Sequence, residues 1–194
     1  NADVKEVNFG GGYGVTYTDE KRPPYSFFMD PMMEVLQKRA EEIGIERPAA
    51  VIEPGRSIVA EAGLTLYTVG QIKDIPGIRK YVSIAGGMGD NIRVALYQAE
   101  YAGILANKAE EEADEVVTVC GKCCESGDIL MRDTKLPKSV EAGDILAMYS
   151  TGAYGYSMAS NYNKIPKNPV IFVDKGKDKL VCKRQTLEDL LSLE

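Results

Sequence analysis

The sequence contains no histidine. This excludes a histidine base, a histidine-ligated metal and any Ser-His or Cys-His nucleophile pair within the chain. Acid–base chemistry therefore falls to Cys, Tyr, Lys or carboxylates. There is no excess of cations either: 23 Lys and Arg against 29 Asp and Glu give a net charge of −6. That balance argues against a nucleic-acid or anionic-membrane surface. No apolar run approaches the roughly 20 residues of a membrane span, and the first residues do not read as a signal peptide. Cysteines are few, and Cys120, Cys123 and Cys124 are crowded together. That is not a secreted disulfide framework, so a reducing, cytoplasmic location is expected. Internal repeats and low-complexity tracts are absent.

What is present suits a soluble globular protein: 44% hydrophobic residues in 194, enough for one large domain or two small ones. Residues 4–9 read as a short buried strand ended by Gly10–Gly12, and residues 13–30 as a polar, Pro-containing loop. Asp30-Pro31 predicts a helix start. Leu36, Ala40 and Ile43 continue it at helical spacing, and Gly44 stops it. Residues 49–52 form a second apolar strand, and 57–62 a helical turn. This is the grammar of a parallel α/β unit.

The grammar changes near Gly63. Strands are expected over 64–73 (with Leu64, Leu66, Val69 and Ile72 alternating), 81–85, 95–101, 115–119, 129–131, 145–150, 170–173 and 180–183. Turns at Pro76-Gly77 and Gly176/Asp178 separate some of them. Such spacing suggests an antiparallel barrel or sandwich. Glu110–Glu112 reads as a solvated loop. A closing helix is predicted over 186–193, with Thr186 and Asp189 at capping-box spacing.

Several runs carry chemistry. Gly10-Gly11-Gly12 after a strand lets backbone N–H groups approach a phosphate, or is a purely structural turn. Neither a nucleotide P-loop nor a dinucleotide fingerprint fits it. In Glu53-Pro54-Gly55-Arg56, Pro54 stiffens the turn, Gly55 permits close approach and Arg56 offers a fork for phosphate or carboxylate; a surface salt bridge is the plainer reading. Arg93 and Tyr97 share one face on either a helix or a strand. They are a carboxylate clamp, or a solvated Arg and a half-buried Tyr. In Cys123-Cys124-Glu125-Ser126-Gly127-Asp128 a thiol stands beside a carboxylate, and the Ser-Gly bend is expected to point both into a cleft. Cys120-x-x-Cys123 has no second pair or histidine to complete a zinc site, so no metal is expected and buried thiols are favoured.

Taken in order with Gly152-Ala153-Tyr154, these runs resemble the pyridoxal-phosphate-dependent amino-acid decarboxylases of the alanine-racemase-like fold, most closely the diaminopimelate decarboxylases. The resemblance covers nearly the whole chain. It implies an α+β, mainly β architecture. Residues 1–62 would be the last two βα units of a (β/α)8 barrel that binds the cofactor, and residues 63–194 a C-terminal antiparallel β-barrel or sandwich domain. It implies decarboxylation of meso-2,6-diaminopimelate to L-lysine and CO₂, the final step of lysine biosynthesis. Cys124 would be the catalytic proton donor. Gly10, Gly11, Gly12, Glu53, Gly55, Arg56 and Tyr154 would hold pyridoxal 5'-phosphate, with Glu53 on the pyridine nitrogen. Arg56, Arg93, Tyr97, Glu125 and Tyr154 would hold the substrate, and Tyr162 and Asn161 would support the wall. A homodimer with shared active sites is implied. So is an upstream barrel half carrying the Schiff-base lysine, without which the chain alone is expected to be inactive. Asn1 in place of Met is expected not to be a natural N-terminus. One departure stands out: the family usually has Asp before Gly-Gly-Met, where this chain has Ala85. Two alternatives stay open: an ornithine- or arginine-type decarboxylase on the same fold, and a non-catalytic truncated homologue acting as a dimerising module.

Overall fold

The computed structural model describes residues 4–192. It opens with a β–α–β unit. Strand β1 (Glu6–Asn8) leads through a loop into helix α1 (Tyr25–Ile43), which returns the chain to β2 (Ala49–Val51), parallel to β1. The predicted strands are present but not buried, and no third strand pairs with them among the described residues. Gly44 ends α1 as expected. At φ 72° its N–H donates to Glu41 O, and the Ile45 N–H donates to Ala40 O, a Schellman closure.

The start of α1 differs from expectation. The helix begins at Tyr25, and Pro31 lies inside it rather than in its first turn. An interior proline forfeits one intrahelical hydrogen bond. Tertiary contacts offset this loss: Tyr25 and Phe28 pack edge-on to Tyr13, and the Tyr25 hydroxyl bonds the Ser57 hydroxyl at 2.8 Å.

After β2 come the short helix α2 (Gly55–Val59) and a 3-10 turn over Ala60–Ala62, and then the chain becomes mainly sheet. Strands β3 (Thr65–Ile75), β4 (Arg79–Ile84), β5 (Gly103–Leu105), β6 (Glu115–Cys120), β7 (Ile129–Leu136) and β8 (Ile145–Met148) form one six-stranded sheet in the order β5-β8-β3-β4-β6-β7. It is not purely antiparallel, since β4 and β6 pair in parallel. All six strands contribute to one core, through Tyr67, Val69, Val82, Ile84, Leu105, Val117, Val119, Leu130, Met131, Leu136, Leu146 and Met148. A sheet whose every strand feeds one core must curl around it. Each fully buried Leu or Met contributes about 1.5–3 kcal/mol.

Of the four positions expected to alternate, Val69 and Ile72 face the core and Leu64 and Leu66 do not. Tyr67 and Val69 point inward, whereas Leu64 and Leu66 are exposed. The register shifts between Val69 and Ile72, and this irregularity returns Ile72 to the core side. The expected strand over 95–101 is instead helix α3 (Arg93–Tyr97), ended by Gln98 in the left-handed region, and β5 follows it. The chain closes with a separate antiparallel hairpin, β9 (Val170–Asp174) and β10 (Lys177–Cys182), and helix α4 (Leu187–Leu191). Both bonds of the predicted capping box form between Thr186 and Asp189. Leu193 of the expected closing helix lies outside the described residues. Among the described residues no helix is long and apolar enough to cross a membrane.

Candidate active site

Because β1 and β2 are parallel, their C-terminal ends release the Gly10–Gly12 and Glu53–Arg56 loops at the same edge, where α/β units bind ligands. Asn8 ties the two together. Its Oδ1 accepts the Gly10 N–H at 2.7 Å, and its Nδ2 donates to Glu53 Oε1 at 2.5 Å. The Glu53 N–H donates to Gly10 O at 2.8 Å. Gly10, at φ 74°, makes the turn. Gly11 permits close approach, since a Cβ there would lie 2.5 Å from Glu53 O.

Beyond this edge lies an open cleft of about 720 Å³ lined by Gly11, Gly12, Glu53, Pro54, Gly55, Arg56, Arg93 and Tyr154. It brings together most of the residues expected to hold the cofactor. Gly10 shapes the cleft without lining it. Tyr154 arrives on the 151–155 turn with φ 59°. That turn passes so close to residues 59–63 that a Cβ on Gly152 would lie 2.0 Å from Val59 O.

A second cleft, of about 460 Å³, shares Arg56 and Arg93 with the first and adds Tyr17, Tyr97, Ala99 and Glu100. Arg93 is 8% exposed. Its Nε donates to the Tyr101 hydroxyl at 3.0 Å, and its guanidinium carbon lies 5.3, 5.6 and 6.0 Å from the ring centres of Tyr97, Tyr154 and Tyr17. Burial pushes the Tyr101 phenol up, opposed by Arg93, so it stays protonated. Neither Arg93 nor Arg56 pairs with a carboxylate among the described residues. A buried cation without a counter-ion is costly unless an anion joins it. Arg93 is therefore buried rather than solvated, whereas Tyr97 is 59% exposed.

The Cys124 loop lies apart. Cys124 and Glu125 line neither of these two clefts. Cys124 is exposed. Glu125 turns back on its own loop, where Oε1 accepts the Gly127 N–H at 3.1 Å. The loop is built around Asp128, which is 3% exposed and accepts the N–H groups of Met88 at 2.6 Å and Cys123 at 2.8 Å. Burial, and then the Asp128 charge, push the Cys120 and Cys123 thiols up, so both stay protonated. Both are half-buried rather than fully buried. Ala85 is exposed and lines neither cleft. Asn161 bonds Ile165 O and Gln185 Oε1, and neither it nor Tyr162 reaches the cleft walls.

Sequence reasoning missed Tyr17, Tyr101 and the anchoring role of Asn8. The Asn8-x-Gly10 spacing was a usable signal for an Asx turn. The two tyrosines carry no local signal.

The fold and the clefts define a sheet-rich domain joined to a β–α–β edge whose clefts carry two arginines. The chain belongs to the pyridoxal-dependent decarboxylases: their C-terminal sheet domain matches residues 16–152. It is 54% identical over 190 residues to a diaminopimelate decarboxylase of Staphylococcus aureus, covering 97% of this chain and 45% of that protein. It is 50% identical over 191 residues to one from Bacillus subtilis, covering 98% and 43%. A crystal structure of diaminopimelate decarboxylase from M. jannaschii in co-complex with L-lysine superposes with a TM-score of 0.90 at 37% identity, covering all of this chain and 43% of that one. The chain thus spans less than half the length of these relatives.

Proposed function

We propose that this chain is the C-terminal part of a pyridoxal-phosphate-dependent lyase that converts meso-2,6-diaminopimelate to L-lysine and CO₂ in the cytoplasm. Residues 1–62 are read as the last two βα units of a (β/α)8 barrel, and 63–194 as the C-terminal β-domain. The barrel's remaining units and the lysine that anchors the cofactor then belong to sequence preceding residue 1. The observation that carries the reading is the buried, unpaired Arg93 beside Arg56 at the mouth of the Gly11–Glu53 cleft. Identity above 50% to a diaminopimelate decarboxylase supports the substrate.

The residues fit the cofactor's chemistry. Open space where a Cβ would stand at Gly10, Gly12 and Gly55 leaves room for a phosphate against backbone, with Gly11 packed on the Glu53 carbonyl and Arg56 beside it. Glu53, fixed by Asn8, is the carboxylate to hold a proton on the pyridine nitrogen. When bound, pyridoxal phosphate supplies an electron sink for the carbanion left by decarboxylation. Arg56, Arg93 and Tyr97 bind the carboxylate remote from the reacting carbon and so orient the substrate, and Tyr154 reaches both the phosphate and the substrate. Cys124 delivers the proton that replaces CO₂, and Glu125 contacts the substrate. Since both lie apart from the two clefts that hold the other site residues, they are assigned to the partner subunit's site in a homodimer.

The test uses the full-length enzyme. Cys124→Ala should lower kcat by about 10²-fold or more, with cofactor and substrate still bound. Mixing it with subunits lacking the cofactor lysine should regenerate activity in mixed dimers. If mixed dimers form and stay inactive, the shared site is wrong. If ornithine or arginine is consumed in preference to diaminopimelate, the substrate is wrong.

A further inference from the structure

Among the described residues Tyr17 is the one within cation–π reach of both cleft arginines: the guanidinium carbons of Arg56 and Arg93 each lie 6.0 Å from its ring centre. Two like charges held near each other repel, and no carboxylate among the described residues lies within ion-pair distance of either. The electron-rich ring offsets part of that repulsion. Its own position is fixed from several sides. The Tyr17 N–H donates to Glu20 Oε1 at 3.0 Å, and its carbonyl accepts from Ala102 N–H at 3.1 Å. The ring meets Tyr101 edge-to-face at 5.0 Å, and Tyr101 in turn accepts from Arg93 Nε. Tyr17 also packs against both hydrophobic clusters, the sheet core and the smaller one around Val15, Ala60 and Ala153. Its hydroxyl, by contrast, is buried with no partner. The ring is engaged and the hydroxyl is idle.

We propose that Tyr17 is a positioning residue whose ring holds Arg56 and Arg93 together as a two-forked receptor for a substrate carboxylate. The proposal rests on the decarboxylase reading, in which these arginines bind the remote carboxylate of the substrate. It goes further in assigning the clamp's geometry to an aromatic in a loop that touches both parts of the chain. It also predicts that the clamp tolerates loss of the hydroxyl but not of the π face.

The experiment is calorimetric titration of the full-length, cofactor-loaded enzyme with pimelate, a seven-carbon dicarboxylate without a reactive amine. Steady-state kinetics on diaminopimelate run in parallel. Tyr17→Leu should weaken pimelate binding about three- to thirty-fold, the worth of one or two partly desolvated cation–π contacts. KM for diaminopimelate should rise by a similar factor while kcat changes far less. Tyr17→Phe, which keeps the ring, should restore binding to within about twofold of wild type. In an Arg93→Gln background the further effect of Tyr17→Leu should shrink, because the residue acts through that arginine. If Tyr17→Leu fails to fold, a fluorinated phenylalanine at 17 keeps the shape, drains the π face and should show the same weakening. The proposal is overturned if Tyr17→Phe is as weak as Tyr17→Leu, if the two substitutions are strictly additive, or if fluorination has no effect. Should Arg93→Gln itself leave pimelate binding unchanged, the carboxylate clamp is wrong and the proposal falls with it. A loss in Arg93→Gln without one in Tyr17→Leu sinks the Tyr17 assignment alone.

Discussion

Removing the Asp128 carboxylate should loosen the Cys124 loop more than any other single truncation there. Asp128 is 3% exposed and has no cation within ion-pair distance among the described residues. What stabilises its charge is backbone: Met88 N–H at 2.6 Å and Cys123 N–H at 2.8 Å. The surroundings are closed on it. A Cβ on Gly121 would lie 2.1 Å from the carboxylate and one on Gly87 2.6 Å, so only glycine backbone comes this near. In Asp128→Ala both donors lose their acceptor, at about 1–3 kcal/mol each when buried. Relief from burying a charge returns part of that. The expected net loss is about 2–4 kcal/mol. Asp128→Asn keeps one accepting oxygen but turns an N–H₂ toward the other donor, and should cost about half as much. Hydrogen exchange on the full-length protein reads this locally. At about 1.4 kcal/mol per tenfold, the Cys123 and Met88 amides should exchange at least about 30-fold faster in Asp128→Ala. Amides of β5 and β8, on the far side of the sheet, should be little affected. Unchanged protection at both amides would refute the view that this carboxylate organises the loop.

Gly152→Ala should cost at least about 1–3 kcal/mol, because its Cβ would meet backbone oxygen rather than a flexible side chain. A thermal midpoint equal to wild type would show that the 59–63 and 150–155 segments part easily. Glu20 gives a pH prediction. Hydrogen bonds from the Thr18 hydroxyl and then the Tyr17 N–H hold its carboxyl at about 2 against an ordinary 4.5. The folded value is depressed, so the contribution is present above pH 4.5 and is lost as pH falls from 4.5 towards 2. The group is solvent-accessible, so the effect is small and local. Protection of the Tyr17 and Thr18 amides, measured against the intrinsic exchange rate at each pH, should fall on acidification in wild type, and Glu20→Gln should flatten that pH dependence. Identical profiles in the two proteins would contradict it.

The cleft was legible in the sequence to the extent that it is made by chain ends of strands. Gly10–Gly12 and Glu53–Arg56 each follow a short apolar run, and parallel pairing of those runs is enough to bring them together. Arg93 was found from its motif, but its helix was not: five residues rich in Val, Leu and Tyr read equally well as strand until Gln98 is seen to end a turn. The face of β3 was misread for a different reason. Its register shift between Val69 and Ile72 splices two alternations of opposite phase, so one periodicity drawn through both selects the wrong side for Leu64 and Leu66. In α1 the Asp30-Pro31 pair mimics a helix start, while the real start depends on Tyr25 meeting Tyr13 and Ser57, contacts no local pattern encodes.

Tyr17 and Asp128 belong to a third class. Each sits in an irregular loop, and each is defined by what it holds: two arginines in one case, two backbone donors from separate loops in the other. Residues that touch a ligand recur in short motifs because chemistry restricts their type. A residue that positions another is restricted only by the fold around it. On this argument Tyr17 and Asp128 should tolerate different replacements: at Tyr17 any flat ring of similar size that retains an electron-rich face, at Asp128 only a side chain presenting two acceptors. A saturation library at both positions, scored for diaminopimelate turnover in the full-length enzyme, should recover Phe at 17 and no neutral residue of wild-type activity at 128. Recovery of aliphatic residues at 17, or of Ala or Leu at 128 with full activity, would show that these loops are filler rather than the frame of the site.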